Sequence, residues 1–158
     1  MSEPVKIEFK DKRTQKEFSV VTFSGYQKLK VRQELLKSIR DRQLEPACYW
    51  TAELVSSGHF SSLWETIFQF YFQCVHTGHL KLILYLQDRY ALYNQITKEP
   101  DKLSGLTSPN PLQYRNNPHI RRLFTEVVSV LSLAPRRPVL VRVVLPANPN
   151  DLTLDMTE

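Results

Sequence analysis

The sequence predicts a mainly α protein, a five-helix bundle that also carries a small terminal antiparallel β-sheet. Three observations lead there. The middle stretch Leu63 to Val75 is the densest apolar segment. At 100° per residue it places Leu63, Trp64, Ile67, Phe68, Phe70, Tyr71, Phe72, Cys74 and Val75 on an arc of roughly 200°, twice the stripe a surface helix needs. Four other segments repeat apolar residues at helical spacing between Gly and Pro punctuation. Short β-branched runs lie only towards the two ends.

With 158 residues and 42% hydrophobic content, the chain suits one domain with a core of its own. Residues 1–25 read as a β-hairpin arm, 26–134 as the helical bundle, and 135–158 as a strand plus extended tail. Apolar segments are interrupted well short of the roughly 20 residues of a membrane span, and the polar N-terminal stretch lacks a secretory core. A soluble, intracellular protein is expected. Cys48 and Cys74 read as small buried hydrophobes rather than a disulfide.

Taken in order, Val5 to Phe9 and Phe18 to Phe23 form a predicted hairpin around the charged tip Lys10 to Lys16. A lone hairpin is marginal in water, so Val139 to Leu145, fenced by Pro138 and Pro146, is the expected third strand. The first helix, Tyr26 to about Arg42, buries Leu29, Val31, Leu35, Leu36 and Ile39. It turns Lys30, Gln33, Lys37 and Arg40 outward. Pro46 opens the second helix, where a missing N–H costs nothing, and Gly58 ends it. The middle helix is the expected central post, started by a capping box at Ser62 and Glu65 and stopped by a left-handed Gly78. Leu80 to Gln95 forms the fourth helix, with Leu82, Ile83, Leu84, Leu86, Tyr90 and Tyr93 as its apolar positions.

Lys98 to Asn117 is a Pro-rich connection, long enough to be functional or ordered by a partner. Asn116-Asn117-Pro118 opens the last helix with a cap followed by Pro at the first turn. Ile120, Leu123, Phe124, Val127, Val128 and Leu131 then form a clean apolar face opposite Arg121, Arg122, Thr125 and Ser129. The tail from Pro146 to Glu158 lacks periodicity and is predicted to be disordered unless a larger assembly holds it.

Charge is unevenly spread. Residues 6–42 carry eleven Lys/Arg against five Asp/Glu, and residues 113–142 carry six Arg against Glu126 alone. Residues 43–112 carry four basic against six acidic groups, and the last sixteen residues carry three acids and no base. The candidate partner-binding residues are therefore Lys30, Lys37 and Arg40 from one end, and Arg115, Arg121, Arg122, Arg136 and Arg137 from the other. Ordinary solvation is the commoner fate of such side chains. No exposed aromatic run is interleaved with them in sequence, so nucleic-acid contact is expected to be weak and electrostatic.

Signals for chemistry are sparse. The four glycines lie far apart, which argues against a phosphate-cradling loop. Cys74, His76 and His79 gather at a helix end, but without a Cys-x-x-Cys, and with Cys74 and His76 on opposite faces, they make a poor zinc site. His59 and the other turn histidines read as partners for free helix ends, and Glu53 as a solvated or salt-bridged helix residue. No enzyme, no cofactor and no metal are expected.

Two resemblances enter here. Tyr49-Trp50, a Gly-containing turn, a long helix and the terminal Leu133-Ala134-Pro135 resemble the C-terminal collar of clamp-loader-like AAA+ ATPases over about residues 28–135. That resemblance implies a collar-like helical fold and a tendency to associate, without the ATPase module. Arg32-Gln33-Glu34-Leu35-Leu36-Lys37-Ser38-Ile39, Tyr49-Trp50-Thr51-Ala52-Glu53-Leu54 and Arg115-Asn116-Asn117-Pro118-His119-Ile120-Arg121-Arg122-Leu123-Phe124 resemble a small helical protein of large nucleocytoplasmic DNA viruses, over roughly the same residues. The second resemblance implies a non-enzymatic minor capsid or virion protein. It would sit in the virion, and in the host cytoplasm during assembly, with other capsid or virion proteins as partners and terminal strands that dock by strand addition. The alternative it leaves is a collar-like accessory of viral DNA replication or transcription that binds DNA or a polymerase complex.

Overall fold

A computed structural model describes residues 11–98 and 111–136. These fold as a mainly α bundle: α1 (Lys28–Arg40), α2 (Leu44–Ser56), α3 (Phe60–Phe70) running into a π-helical turn (Tyr71–Val75), α4 (Leu82–Lys98), a 3-10 turn (Pro111–Asn116) and α5 (Pro118–Leu133). The helical expectation holds; among the described residues the sheet does not appear. Its strands Val5 to Phe9 and Val139 to Leu145, like the tail from Pro146, lie outside the described residues. The remaining one, Phe18 to Phe23, is a succession of turns with a single bridge between Val21 and Gln27.

Arg13 is the reason. Its guanidinium lies over the rings of both Phe18 and Phe23, 4.7 and 4.8 Å from their centroids, and Nη1 donates to the Phe23 carbonyl at 3.0 Å. A chain wrapped around one cation cannot also alternate its side chains across a sheet. Asp11 fixes that cation, accepting from Arg13 Nε at 2.7 Å. These hydrogen bonds hold the Asp11 carboxyl below its ordinary range and push the guanidinium up.

The core joins all five helices. Leu35 and Ile39 of α1, Leu54 of α2, Leu63, Ile67 and Phe70 of α3, Leu86 of α4, and Phe124 and Val127 of α5 are fully buried. Each such side chain contributes about 1.5–3 kcal/mol of burial. Trp64 is the aromatic junction, with Phe124 at 5.1 Å on one side and Tyr90 at 5.1 Å on the other. α2 shares the central position with α3, because it packs against α1, α3, α5 and the 3-10 turn.

Several ends differ from the sequence expectation. α2 begins at Leu44, which puts Pro46 inside its first turn. α3 begins at Phe60, whose ring stacks on Phe124 at 5.9 Å, so burial of that ring decides the start. Ser62 is consequently buried within the helix, Glu65 is exposed facing Arg32, and the capping box does not form. His59 is the N-cap residue but makes no side-chain cap bond, contrary to its expected role. Among the described residues the left-handed glycines are Gly25 and Gly58 rather than Gly78. The π turn replaces a left-handed stop, with the His76 amide donating to the Tyr71 carbonyl at 2.9 Å. Leu29 and Leu84, expected inside, are exposed, and so is Phe72. α5 follows expectation, with the Asn117 side chain accepting from the amides of His119 and Ile120 above an inner face that is apolar but for Ser132, whose hydroxyl donates to the Val128 carbonyl at 2.8 Å.

Candidate interaction face

α1 and α2 are joined by residues 41–43 only, which makes them an antiparallel hairpin. Lys30, Gln33, Lys37 and Arg40 recur at helical spacing along α1, and all four are exposed. Four residues before Lys30, Tyr26 packs edge-on against Trp50 at 5.5 Å, and Trp50 packs edge-on against Tyr49 at 4.9 Å. Tyr26 and Tyr49 are 40% and 50% exposed, while Trp50 leans on the core and holds the trio rigid. A hydrogen bond with Tyr26 is the first cause raising the Tyr49 hydroxyl pKa, with burial second. The α1–α2 hairpin therefore carries exposed cations along α1 and partly exposed aromatic rings on α2 and just before α1, although no aromatic run is interleaved with the cations in sequence. Tyr26 is 23 positions from Tyr49, so only folding brings them together.

The other predicted basic residues disperse. Arg115 is 4% exposed; Nη2 donates to the Asp11 carbonyl at 2.8 Å and Nη1 to the Ser56 carbonyl at 3.5 Å. It ties segments of the chain together, and its predicted partner-binding role is replaced by a structural one. Arg121 is half-buried and bound to its own neighbourhood, with Nε to the Arg115 carbonyl at 2.6 Å and Nη2 to Asn116 Oδ1 at 3.0 Å. Arg136 spans two helix ends, donating to the carbonyls of Arg40, Ile39 and Ser132 while lying over the Phe70 ring at 5.1 Å. A cation among terminal carbonyls suits the negative end of each helix dipole. Burial, then the charge of Arg42, lowers the Arg136 pKa. Arg122 is exposed on α5, apart from the α1 stripe, and Arg137 lies outside the described residues.

Glu53 is buried rather than solvated. Its carboxylate accepts the Ser24 amide at 2.6 Å and the Ser24 hydroxyl at 3.0 Å. Beside it, Ser57 Oγ donates to the Glu53 carbonyl and accepts the Phe23 amide, both at 2.7 Å. These bonds latch the segment before α1 onto the end of α2. Cys48 and Cys74 are free and half-buried. Among the described residues no three His, Cys, Asp or Glu gather as metal ligands, and no helix is long and apolar enough to cross a membrane.

Two clefts remain. One of about 380 Å³ between α3 and α4 is lined by Ser61, Trp64, Glu65, Phe68, Tyr90 and Tyr93. Another, of about 270 Å³ between α2 and α5, is lined by small side chains and Arg121. Large apolar side chains are also exposed at the corner where the π turn meets α4: Phe72 at 56%, Leu80 at 71% and Leu84 at 60%. Comparison with known proteins finds no matching family model, no matching curated protein and no matching solved structure.

Proposed function

We propose that the chain is a non-enzymatic structural protein, a minor capsid or virion component that bridges neighbouring subunits in a large DNA virus particle. The observation that carries this reading is the apolar corner of Phe72, Leu80 and Leu84. Tyr71 fixes that corner by donating from its hydroxyl to the Leu80 carbonyl at 3.1 Å while its ring packs edge-on against Phe72 at 5.1 Å. A preformed apolar surface loses little freedom on docking, and the water it sheds favours a permanent neighbour. The occupant it suits is the apolar surface of an adjoining capsid protein. In support of a non-catalytic role, Arg115 and Arg136 donate to backbone carbonyls and Glu53 accepts from the Ser24 amide and hydroxyl, so these sheltered polar groups serve the fold.

Quantitative mass spectrometry of purified particles tests the reading. Many copies per particle are expected, together with a photo-crosslink from position 84 to one structural protein; a copy number near zero ends it. The second reading, a collar-like accessory of viral replication or transcription, is favoured by the exposed cations and aromatic rings of the α1–α2 hairpin. Arg122 rather than Arg121 is the α5 position at which to reverse charge for that reading, because Arg121 is committed to the 3-10 turn.

A further inference from the structure

We infer that the exposed surface of the α1–α2 hairpin is a binding site for single-stranded nucleic acid, with Tyr26 and Tyr49, held by Trp50, stacking bases while Lys30, Lys37 and Arg40 meet successive phosphates. The inference stands apart from the virion role and deepens the second reading, since it names a ligand class and a site for it.

Charge complementarity supplies the first argument. Lys30 to Arg40 spans about 15 Å along the helix axis, so three exposed cations follow a line that a flexible phosphate backbone can track. The polar groups on this stripe, Gln33 included, donate hydrogen bonds, as a phosphate requires. The nearby acids are few: Glu34 is half-buried between Lys30 and Lys37, Glu45 and Asp41 are exposed at the hairpin end, and Glu53 is already occupied by Ser24. An acidic protein would also meet the cations, but would make little use of the rings.

The rings supply the second argument. Tyr26 and Tyr49 each meet Trp50 nearly edge-on, at interplanar angles of 77° and 75°. Both tyrosines keep substantial exposed surface, and the tryptophan anchors the group in the core. A half-exposed aromatic group on the same helical hairpin as a line of cations supplies the two elements by which single strands are held without sequence preference. Duplex DNA hides its base faces inside the stack and would engage the cations alone.

The test uses the full chain with fluorescently labelled oligothymidylate, the matching duplex, and polyglutamate as a competitor. The single strand is expected to bind more tightly than the duplex, to weaken steeply with salt, and to resist polyglutamate at equal charge. Tyr49→Ala should weaken single-strand binding by about 5- to 150-fold, while Tyr49→Phe should retain it because the ring remains. Lys30→Glu with Lys37→Glu should lower the slope of log affinity against log salt by about 1.4, the loss of two phosphate contacts. Helical circular dichroism should be unchanged in all three variants, whose altered side chains are exposed. Four results overturn the inference: no binding at low salt, equal affinity for duplex with Tyr49→Ala silent, binding unaffected by the double charge reversal, or polyglutamate displacing the strand at equal charge.

Discussion

Arg115 Nη2 donates to the backbone carbonyl of Asp11 at 2.8 Å, closing a contact between residues 104 positions apart. The same guanidinium approaches the Ser56 carbonyl at 3.5 Å and the Asp11 carboxylate at 3.9 Å, so the segment before α1, the end of α2 and the 3-10 turn converge on one buried cation.

Removing that cation leaves the Asp11 and Ser56 carbonyls without their shared donor. Arg115→Ala is expected to lower unfolding free energy by about 1.5–3 kcal/mol, the range for hydrogen bonds that carry a charge. Arg115→Lys should recover only part of the loss, because a compact ammonium lacks the fork. Urea unfolding followed by circular dichroism measures both, and a change below about 0.5 kcal/mol, typical of a surface position, would refute the structural role.

Gly58 holds φ at +73°, and a Cβ there would meet Leu112 Cδ2 at 3.1 Å. Backbone strain and crowding then act together, so Gly58→Ala should cost about 1–3 kcal/mol. Gly25 has φ of +84° but open space around it, which makes Gly25→Ala the control for strain alone. Thermal melts of the two variants should rank Gly58→Ala as the more damaging; the reverse order would locate the tight packing elsewhere.

His59 has its pKa lowered from the ordinary 6.5, first by burial and then by the charge of Lys28. The folded state therefore favours the neutral imidazole, and the unfolded state binds a proton first as pH falls. The contribution of His59 is complete above about pH 6.5 and is lost below it. Urea midpoints should decline between about pH 7.5 and pH 5.5, while His59→Gln should flatten that decline. Asp11, whose pKa is lowered from 3.8, acts only in stronger acid and does not confuse the result. An unchanged slope in the variant would remove His59 as the cause.

α5 was the most legible element. Asn117, Pro118 and the spacing of Ile120 through Leu131 state its start and inner face locally, and the helix needs no distant partner to choose its register. The start of α3 was less so. Ser62 and Glu65 satisfy a capping pattern, yet the ring of Phe60 finds Phe124 across the bundle, and the gain from that burial exceeds what a cap contributes. Phe18 to Phe23 reads as a strand because its β-branched and aromatic residues fit one, whereas Arg13 outside the run draws both phenylalanines to itself. The candidate face was half legible. Helical spacing picked out Lys30, Lys37 and Arg40, but composition could not separate them from Arg115 and Arg136, which folding draws against backbone carbonyls.

What the amino-acid order determined by itself was the helical class, the positions of most helices and the apolar side each turns inward, because these depend on neighbours three or four residues away. Tertiary structure alone decided which cations are spent on holding the chain and which remain outside, and it alone set Tyr26 beside Trp50. The physical reason is range. A carbonyl or a ring more than 20 positions off leaves no trace in local spacing, yet its distance in space decides whether a charge is buried, shared or free to meet a partner.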